Sequence, residues 1–204
     1  MTDDYSYSQY LMQRSAVGAW YRRFLLYPAI DRELQQGRVL DFGCGIGDFL
    51  HFRSSAVGVD TNRYNCEYCR AQGHDVVLVS AGGALPFSDG VFDGTVLDNV
   101  LEHIPQGTVA QVVKELGRVI RREGRLVVGV PSIRGYLSDR DHKVYYTKDA
   151  LTSLFERYGF VLSRTFYMPI NSRVLDRYVA AHCLYAVFRF QGIGECATIE
   201  NIIS

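Results

Sequence analysis

No stretch of the 204 residues approaches the ~18 uninterrupted apolar positions that a membrane span needs. Net charge is missing as well. The 22 Lys+Arg stand against 22 Asp+Glu, which excludes a protein that coats nucleic acid through bulk positive charge. Cysteine is sparse, five scattered residues in odd number, so no disulfide framework is expected; reduced thiols and a cytoplasmic location are. Nothing repeats at solenoid or propeller period, and no segment is low-complexity. The polar start MTDDYSYSQY lacks the apolar core of a secretory leader.

What is present is ordinary globular material, 48% hydrophobic and 22% charged, with a surplus of tyrosine at 14 residues. Length and composition predict a single domain over 1–204. Within it, 1–16 is a flexible or lid segment, 17–36 an amphipathic helix interrupted near Pro28 and closed at Gly37, 38–190 the core and 191–204 a tail. From residue 38 the rhythm alternates. Strands are predicted at 38–42, 56–60, 76–80, 92–97 and 125–130, with helices starting near Gly47 and spanning 62–72, 108–122 and 147–158. Strands at 160–168 and 182–190 form a hairpin-like pair at a sheet edge, and 170–181 is equally compatible with helix or loop. The pattern predicts an α/β fold: a Rossmann-like three-layer sandwich on a seven-stranded, mostly parallel sheet with an antiparallel edge strand.

The segment VLDFGCGIGDFL, Val39 to Leu50, carries the chemistry. A buried strand runs into Asp41-Phe42-Gly43-Cys44-Gly45-Ile46-Gly47 and then a helix. Three glycines in five positions permit positive φ and let a ligand touch bare backbone. In parallel sheets such ligands sit beyond the carboxyl ends of the strands. The next strand ends in Asp60, nineteen residues after Asp41, where a carboxylate can accept hydrogen bonds from both hydroxyls of a ribose. A nucleoside-containing cofactor follows. The dinucleotide fingerprint G-x-G-x-x-G is absent: the sixth position counted from Gly43 is Asp48, an awkward neighbour for a pyrophosphate.

With DFGCGIG, GVD, ALPFSDGVFD, LDNVLEHI and DHKVYYT followed by LFERYGF in order, the chain resembles class I S-adenosylmethionine-dependent methyltransferases of the type 11-like small-molecule branch, over roughly residues 38–165. That resemblance implies S-adenosyl-L-methionine as cofactor and S-adenosyl-L-homocysteine as product. Gly43, Cys44, Gly45 and Gly47 would line the methionine moiety with backbone, and Asp41 would face its ammonium. Asp60 would bind the ribose with Thr61 and Asn62 beside the adenine. Ala81 and Gly82 would flank the other adenine edge, and Asp98 and Asn99 would lie under the sulfonium. Relatives often carry an acid where this chain has Ala81, which leaves that side of the adenine to backbone contacts.

Methyl transfer is an in-line displacement that needs alignment and a dry pocket. A base is required only for a hydroxyl or protonated amine acceptor. His103 and His142 are the candidate catalytic residues, and Tyr21, Arg134, Arg140, Lys143, Tyr145 and Tyr146 the candidate acceptor-binding ones, with the basic loop suited to an anionic small molecule. A divalent ion is the less favoured alternative; Glu102, His103 and His142 would hold it, as in the ubiquinone-type and small-RNA methyltransferases that this segment resembles. The expectation is O-methylation of a small molecule or biosynthetic precursor by direct transfer. Metal-assisted transfer to vicinal oxygens or a ribose end, and a non-catalytic cofactor-binding module, are the alternatives. Cys66-x-x-Cys69 with His74 is read as thiols on one helix face, and Arg121, Arg122 and Arg125 as a cap on a helix C-terminus. Oligomeric state is left open.

Overall fold

Five short, mostly apolar segments form a parallel ladder: β1 (Val39–Phe42), β2 (Val57–Asp60), β3 (Val76–Leu78), β4 (Phe92–Asp98) and β5 (Ile120–Pro131). They belong to a computed structural model that describes residues 15–34, 36–139, 141–172, 174 and 181–192. β6 (Phe160–Met168) and β7 (Cys183–Phe190) complete a seven-stranded sheet of order β3-β2-β1-β4-β5-β7-β6. β7 runs antiparallel to both of its neighbours and lies one strand in from the edge, which β6 forms. The strand order reverses at β1, between β2 and β4, and the carboxyl ends there define the natural ligand crevice.

Residues alternate between two apolar layers. One face of the sheet buries Leu40, Leu126 and Val128 against α5 (Gln106–Val119) and α7 (Lys148–Glu156). The other buries Val39, Val96 and Val127 against the N-terminal helix and against α3 (Asp48–Phe52) and α4 (Arg63–Ala71). Asn62 caps α4 and Thr147 caps α7 through side-chain oxygens that accept from the first turn. A further helix, α6 (Ile133–Ser138), follows β5 and is capped by Ser132, where the residue pattern suggests a loop.

The N-terminal segment shows how proline acts without breaking a helix. It comprises α1 (Ala16–Tyr21), a π-helical turn (Arg22–Leu26) and α2 (Tyr27–Glu33) in unbroken succession. Pro28 has no N–H and its ring crowds the preceding carbonyls, so the helix widens just upstream, where Tyr27 N–H donates to Arg22 O. The helix ends at Glu33 with Leu34 as its cap, earlier than Gly37. Gly37 instead occupies φ +128° where Asp93 leaves no room for a Cβ.

The helix expected to reach residue 122 stops at Val119, because buried Ile120 already pairs with Phe92 as the first residue of β5. A bulge around Glu123 (φ +67°) then resets the register, which is regular from Arg125. Arg121 and Arg125 are therefore strand residues: Arg121 Nε donates to Asp93 Oδ1 at 2.5 Å and Arg125 to Ser163 Oγ at 3.1 Å. Most of 173–180, all of 1–14 and all of 193–204 lie outside the described residues, and with them most of the lid and tail segments.

Candidate active site

The glycine turn after β1 is built as its sequence requires, with Gly43, Gly45 and Gly47 at φ +77°, +55° and +82°. A Cβ at Gly43 would also come 2.6 Å from Val100. Four of its five backbone amides are bonded inside the protein. Gly43 and Cys44 N–H donate to Val59 O (2.8 and 3.0 Å), Gly47 N–H to Cys44 O (2.9 Å) and Gly45 N–H to Asp60 Oδ2 (2.8 Å). The turn therefore presents glycine Cα surface and carbonyls, and these amides form no anion cradle.

Asp60 is 9% exposed at the end of β2. Its other oxygen, Oδ1, accepts from Asn62 N–H at 2.7 Å. Burial pushes its carboxyl up, and the Asn62 and Gly45 amides pull it back down. The Asn65 side chain and the Thr61 amide also donate to the carboxylate and favour its charged form. The Asn62 side chain, expected at the adenine, is the α4 cap and accepts from Tyr64 and Asn65 N–H.

A cavity of about 390 Å³ opens beside Asp60. Gly43, Gly45, Asp60, Thr61, Asn62, Ala81, Gly82, Asn99 and His103 all line it. Asp41, Cys44, Gly47 and Asp98 do not, each for a local reason. Asp41 is 4% exposed, and burial, Asp98 and Asp60 raise its carboxyl well above the usual range. The Cys44 side chain turns inward, where its sulfur would sit 2.9 Å from a Cβ at Gly58. Its thiol is raised by a hydrogen bond with Cys69 and by burial. Gly47 is the cap of α3. Asp98 is held by Tyr185 Oη and Asn99 Nδ2, which both donate to its Oδ1 at 2.7 and 2.9 Å. Cys66 and Cys69 diverge: Cys66 Sγ bonds Asp60 O, while Cys69 Sγ bonds Gly45 O at 3.3 Å.

Beyond the cavity rim, the 3₁₀ turn Leu101–His103 after β4 meets the loop that follows α6. Lys143 and Val144 N–H donate to Glu102 O and dock the loop there. Glu102 is 1% exposed and neither of its carboxylate oxygens has a hydrogen-bond partner among the described residues. Burial raises its carboxyl to about 8. His142 stacks on Tyr136 (5.5 Å, 13°) and its Nδ1 lies 2.9 Å from Tyr136 O. That contact assigns the proton to Nδ1 and leaves the Nε2 lone pair 3.9 Å from both Glu102 Oε1 and Asp139 Oδ2. His103 completes the cluster, its ring 4.7 Å from His142; burial and His142 lower its pKa. Ligand atoms of Glu102, His103 and His142 all lie within 4.8 Å of one another.

None of the basic residues expected at the acceptor lines the cavity among the described residues. His142 turns inward, Arg134 and Lys143 are exposed, and Arg140 lies outside the described residues. Tyr146 is buried, with its phenol raised by burial and by Glu102; Tyr145 packs near Tyr136. Tyr21 is half-buried on the N-terminal segment, and its phenol is raised by burial, Cys183 and Asp98.

Residues 40–128 match the family model described as "Methyltransferase domain". The chain is 30% identical over 154 residues to a probable S-adenosylmethionine-dependent methyltransferase of Mycobacterium tuberculosis, covering 70% of this chain and 56% of that protein. It is 28% identical over 126 residues to an uncharacterised protein of Methanocaldococcus jannaschii, 60% of each. The crystal structure of a SAM-dependent methyltransferase from Archaeoglobus fulgidus superposes with a TM-score of 0.64 at 17% identity, over 86% of this chain and all of that one.

The methyltransferase-domain match thus lies on residues 40–128. The chain spans 60% or less of the length of the two curated relatives named here. Several cavity residues escaped the sequence reading, Thr108, Val112 and Glu115 among them. Their spacing of four and three places them on one stripe of α5, a signal that was available. Glu115 Oε2 accepts from Leu85 N–H at 2.8 Å and pairs with Arg118, which also binds the carbonyls of Leu85 and Phe87 and so fixes the loop bearing Ala81 and Gly82.

A pH dependence follows from Glu102. Its folded-state carboxyl is raised from 4.5 to about 8, so its stabilising contribution is full below about pH 4.5 and is lost as pH rises through 8. In chelator, Glu102→Gln is expected to flatten the decline in stability between pH 5 and pH 8.5, measured by urea midpoints. A variant that declines as steeply as the parent contradicts the assignment.

Proposed function

We propose that this protein is an S-adenosyl-L-methionine-dependent methyltransferase that acts on a small molecule or biosynthetic precursor, at oxygen. The turn between β1 and α3 carries the reading. The amides of Gly43, Cys44, Gly45 and Gly47 are all bonded internally and so are not offered to a pyrophosphate, whereas the bare glycine surface suits the uncharged chain of a methionine moiety. Asp60 supplies the ribose acceptors at the lip, and Thr61, Ala81 and Gly82 bracket the adenine. The carboxyl groups of Asp41 and Asp98 stand beneath the end where the cofactor would carry an ammonium and a sulfonium, and a cation bound there would favour their ionised forms.

The transferred methyl leaves sulfur along the line of attack, and sulfur's positive charge vanishes as the bond breaks. A low-dielectric pocket assists that change, and alignment of the acceptor supplies most of the rest. His103 lines the cavity, and burial and His142 lower its pKa, which favours the neutral imidazole that a general base for a hydroxyl acceptor needs. Arg134 and Lys143 are exposed and would supply positive charge to an anionic acceptor.

One observation favours a second reading. A carboxyl that is 1% exposed, has no hydrogen-bond partner among the described residues, and lies 3.9 Å from His142 Nε2 with His103 beside it is costly to ionise unless a cation joins them. A divalent ion held by Glu102, His103 and His142 would orient two acceptor oxygens and lower a hydroxyl's pKa.

Asp60→Ala is expected to weaken S-adenosylhomocysteine binding, followed by calorimetry, by about 1.5–3 kcal/mol, the scale of lost hydrogen bonds to a charge. Unchanged affinity removes Asp60 from the site. For the second reading, titration with Mn²⁺ followed by electron paramagnetic resonance should show the free-ion signal suppressed by the parent and not by Glu102→Gln. A signal unaffected by the parent leaves direct transfer alone.

A further inference from the structure

Four cross-strand neighbours form one row on the sheet face beneath the N-terminal helix. Asp98 on β4 pairs with Gly129 on β5, Gly129 with Tyr185 on β7, and Tyr185 with Phe166 on β6. Gly129 has no side chain, and the Tyr185 ring occupies the space: a Cβ there would stand 2.4 Å from Tyr185 Cε1. The ring therefore crosses a whole strand. Phe166 holds it from the far side in a stack of 5.1 Å and 13°. Its hydroxyl, 1% exposed with the rest of the residue, donates to Asp98 Oδ1 at 2.7 Å. Asn99 Nδ2 donates to the same oxygen at 2.9 Å, and Asn99 Oδ1 accepts from Cys183 Sγ at 3.4 Å. Asn99 itself sits at φ +55°, an uncommon conformation for a side-chain-bearing residue, and lines the cavity.

We propose that Tyr185 is a positioning residue for methyl transfer: reaching across Gly129, it fixes the Asp98 carboxylate beneath the sulfonium end of the cleft and so makes the site discriminate the charged cofactor from its neutral product. The inference rests on the cofactor reading above and goes beyond it, since Tyr185 and Gly129 do not line the cavity beside Asp60 and belong to none of the motifs above. The chemistry is one of charge. S-adenosylmethionine and S-adenosylhomocysteine share adenosine, ammonium and carboxylate, and differ in a methyl group and a positive charge on sulfur. A carboxylate held near that sulfur attracts the substrate form and loses the attraction once the methyl has left, which favours product release. A phenol and an amide on one oxygen set the direction in which the carboxylate faces.

The test compares the affinities of the two ligands by calorimetry. Tyr185→Phe keeps the ring and its stack and removes only the donor. Its S-adenosylmethionine affinity is expected to fall about tenfold, the scale of one hydrogen bond to a charge, with S-adenosylhomocysteine changed less than about twofold. Asp98→Asn should show the same selective loss, and the double variant should lose no more than Asp98→Asn alone. If Tyr185→Phe is recovered unfolded, Asp98→Asn reads the same pair from its other end. An equal loss for both ligands, or a Tyr185→Phe effect that persists undiminished in the Asp98→Asn background, means that Tyr185 only supports the fold and overturns the proposal. An unchanged ligand ratio in Asp98→Asn overturns it too. A parent protein that binds neither ligand removes the cofactor reading itself, and this proposal with it, a result distinct from lost discrimination.

Discussion

One carboxylate holds the candidate site together. Asp60 accepts from Gly45 N–H with one oxygen and from Asn62 N–H with the other, and so ties the turn after β1 to the cap of α4. Two segments that meet nowhere else in sequence become the two lips of one crevice. The arrangement exacts a desolvation penalty, seen as an upward pull on the Asp60 carboxyl, and the two amides oppose it. Hydroxyl donors from a ribose would act in the same direction as those amides. The site is thus already shaped for such a ligand.

The same logic of compensated burial runs through the sheet face under the N-terminal helix. Asp41 and Asp98 lie close enough to raise one carboxyl, and Tyr21, Tyr27 and Tyr185 surround them, their phenols raised by burial first. The arrangement gathers carboxyl and phenol groups beneath the turn. In the cluster of Glu102, His103 and His142, neither oxygen of the Glu102 carboxyl has a hydrogen-bond partner among the described residues. The Arg22–Asp48 ion pair (2.9 Å) fastens the N-terminal helix to the start of α3.

Most of this was legible in the residues. Alternating strands and helices gave the parallel sheet, and the spacing of Asp41, the three glycines and Asp60 located the crevice. Boundaries set by tertiary pairing were not: Ile120 to Arg122 look helical locally, and only pairing of Ile120 with Phe92 makes them strand. The route of Tyr185 to Asp98 was equally invisible. It depends on three registers across β4, β5 and β7, and a period-two pattern states which residues share a face but never which strands adjoin. The inward turn of His142 depends on the Tyr136 carbonyl, contributed by a helix that the sequence did not announce. Exposure could not be read from charge alone either: the loop docks on Glu102 with His142 turned inward, while Arg134 and Lys143 are exposed.

The central claim is that an internally satisfied glycine turn and the Asp60 carboxylate together form a nucleoside site without a phosphate cradle. A crystal structure with S-adenosylhomocysteine bound tests it most directly. The account predicts both ribose hydroxyls on Asp60, the methionine chain against Gly43 and Gly45, and the sulfur on the side of Asp98 and Asn99. Adenosine bound elsewhere in the cavity, or glycine-turn amides that swing out to meet the ligand's carboxylate while Asp60 is left uncontacted, would contradict it.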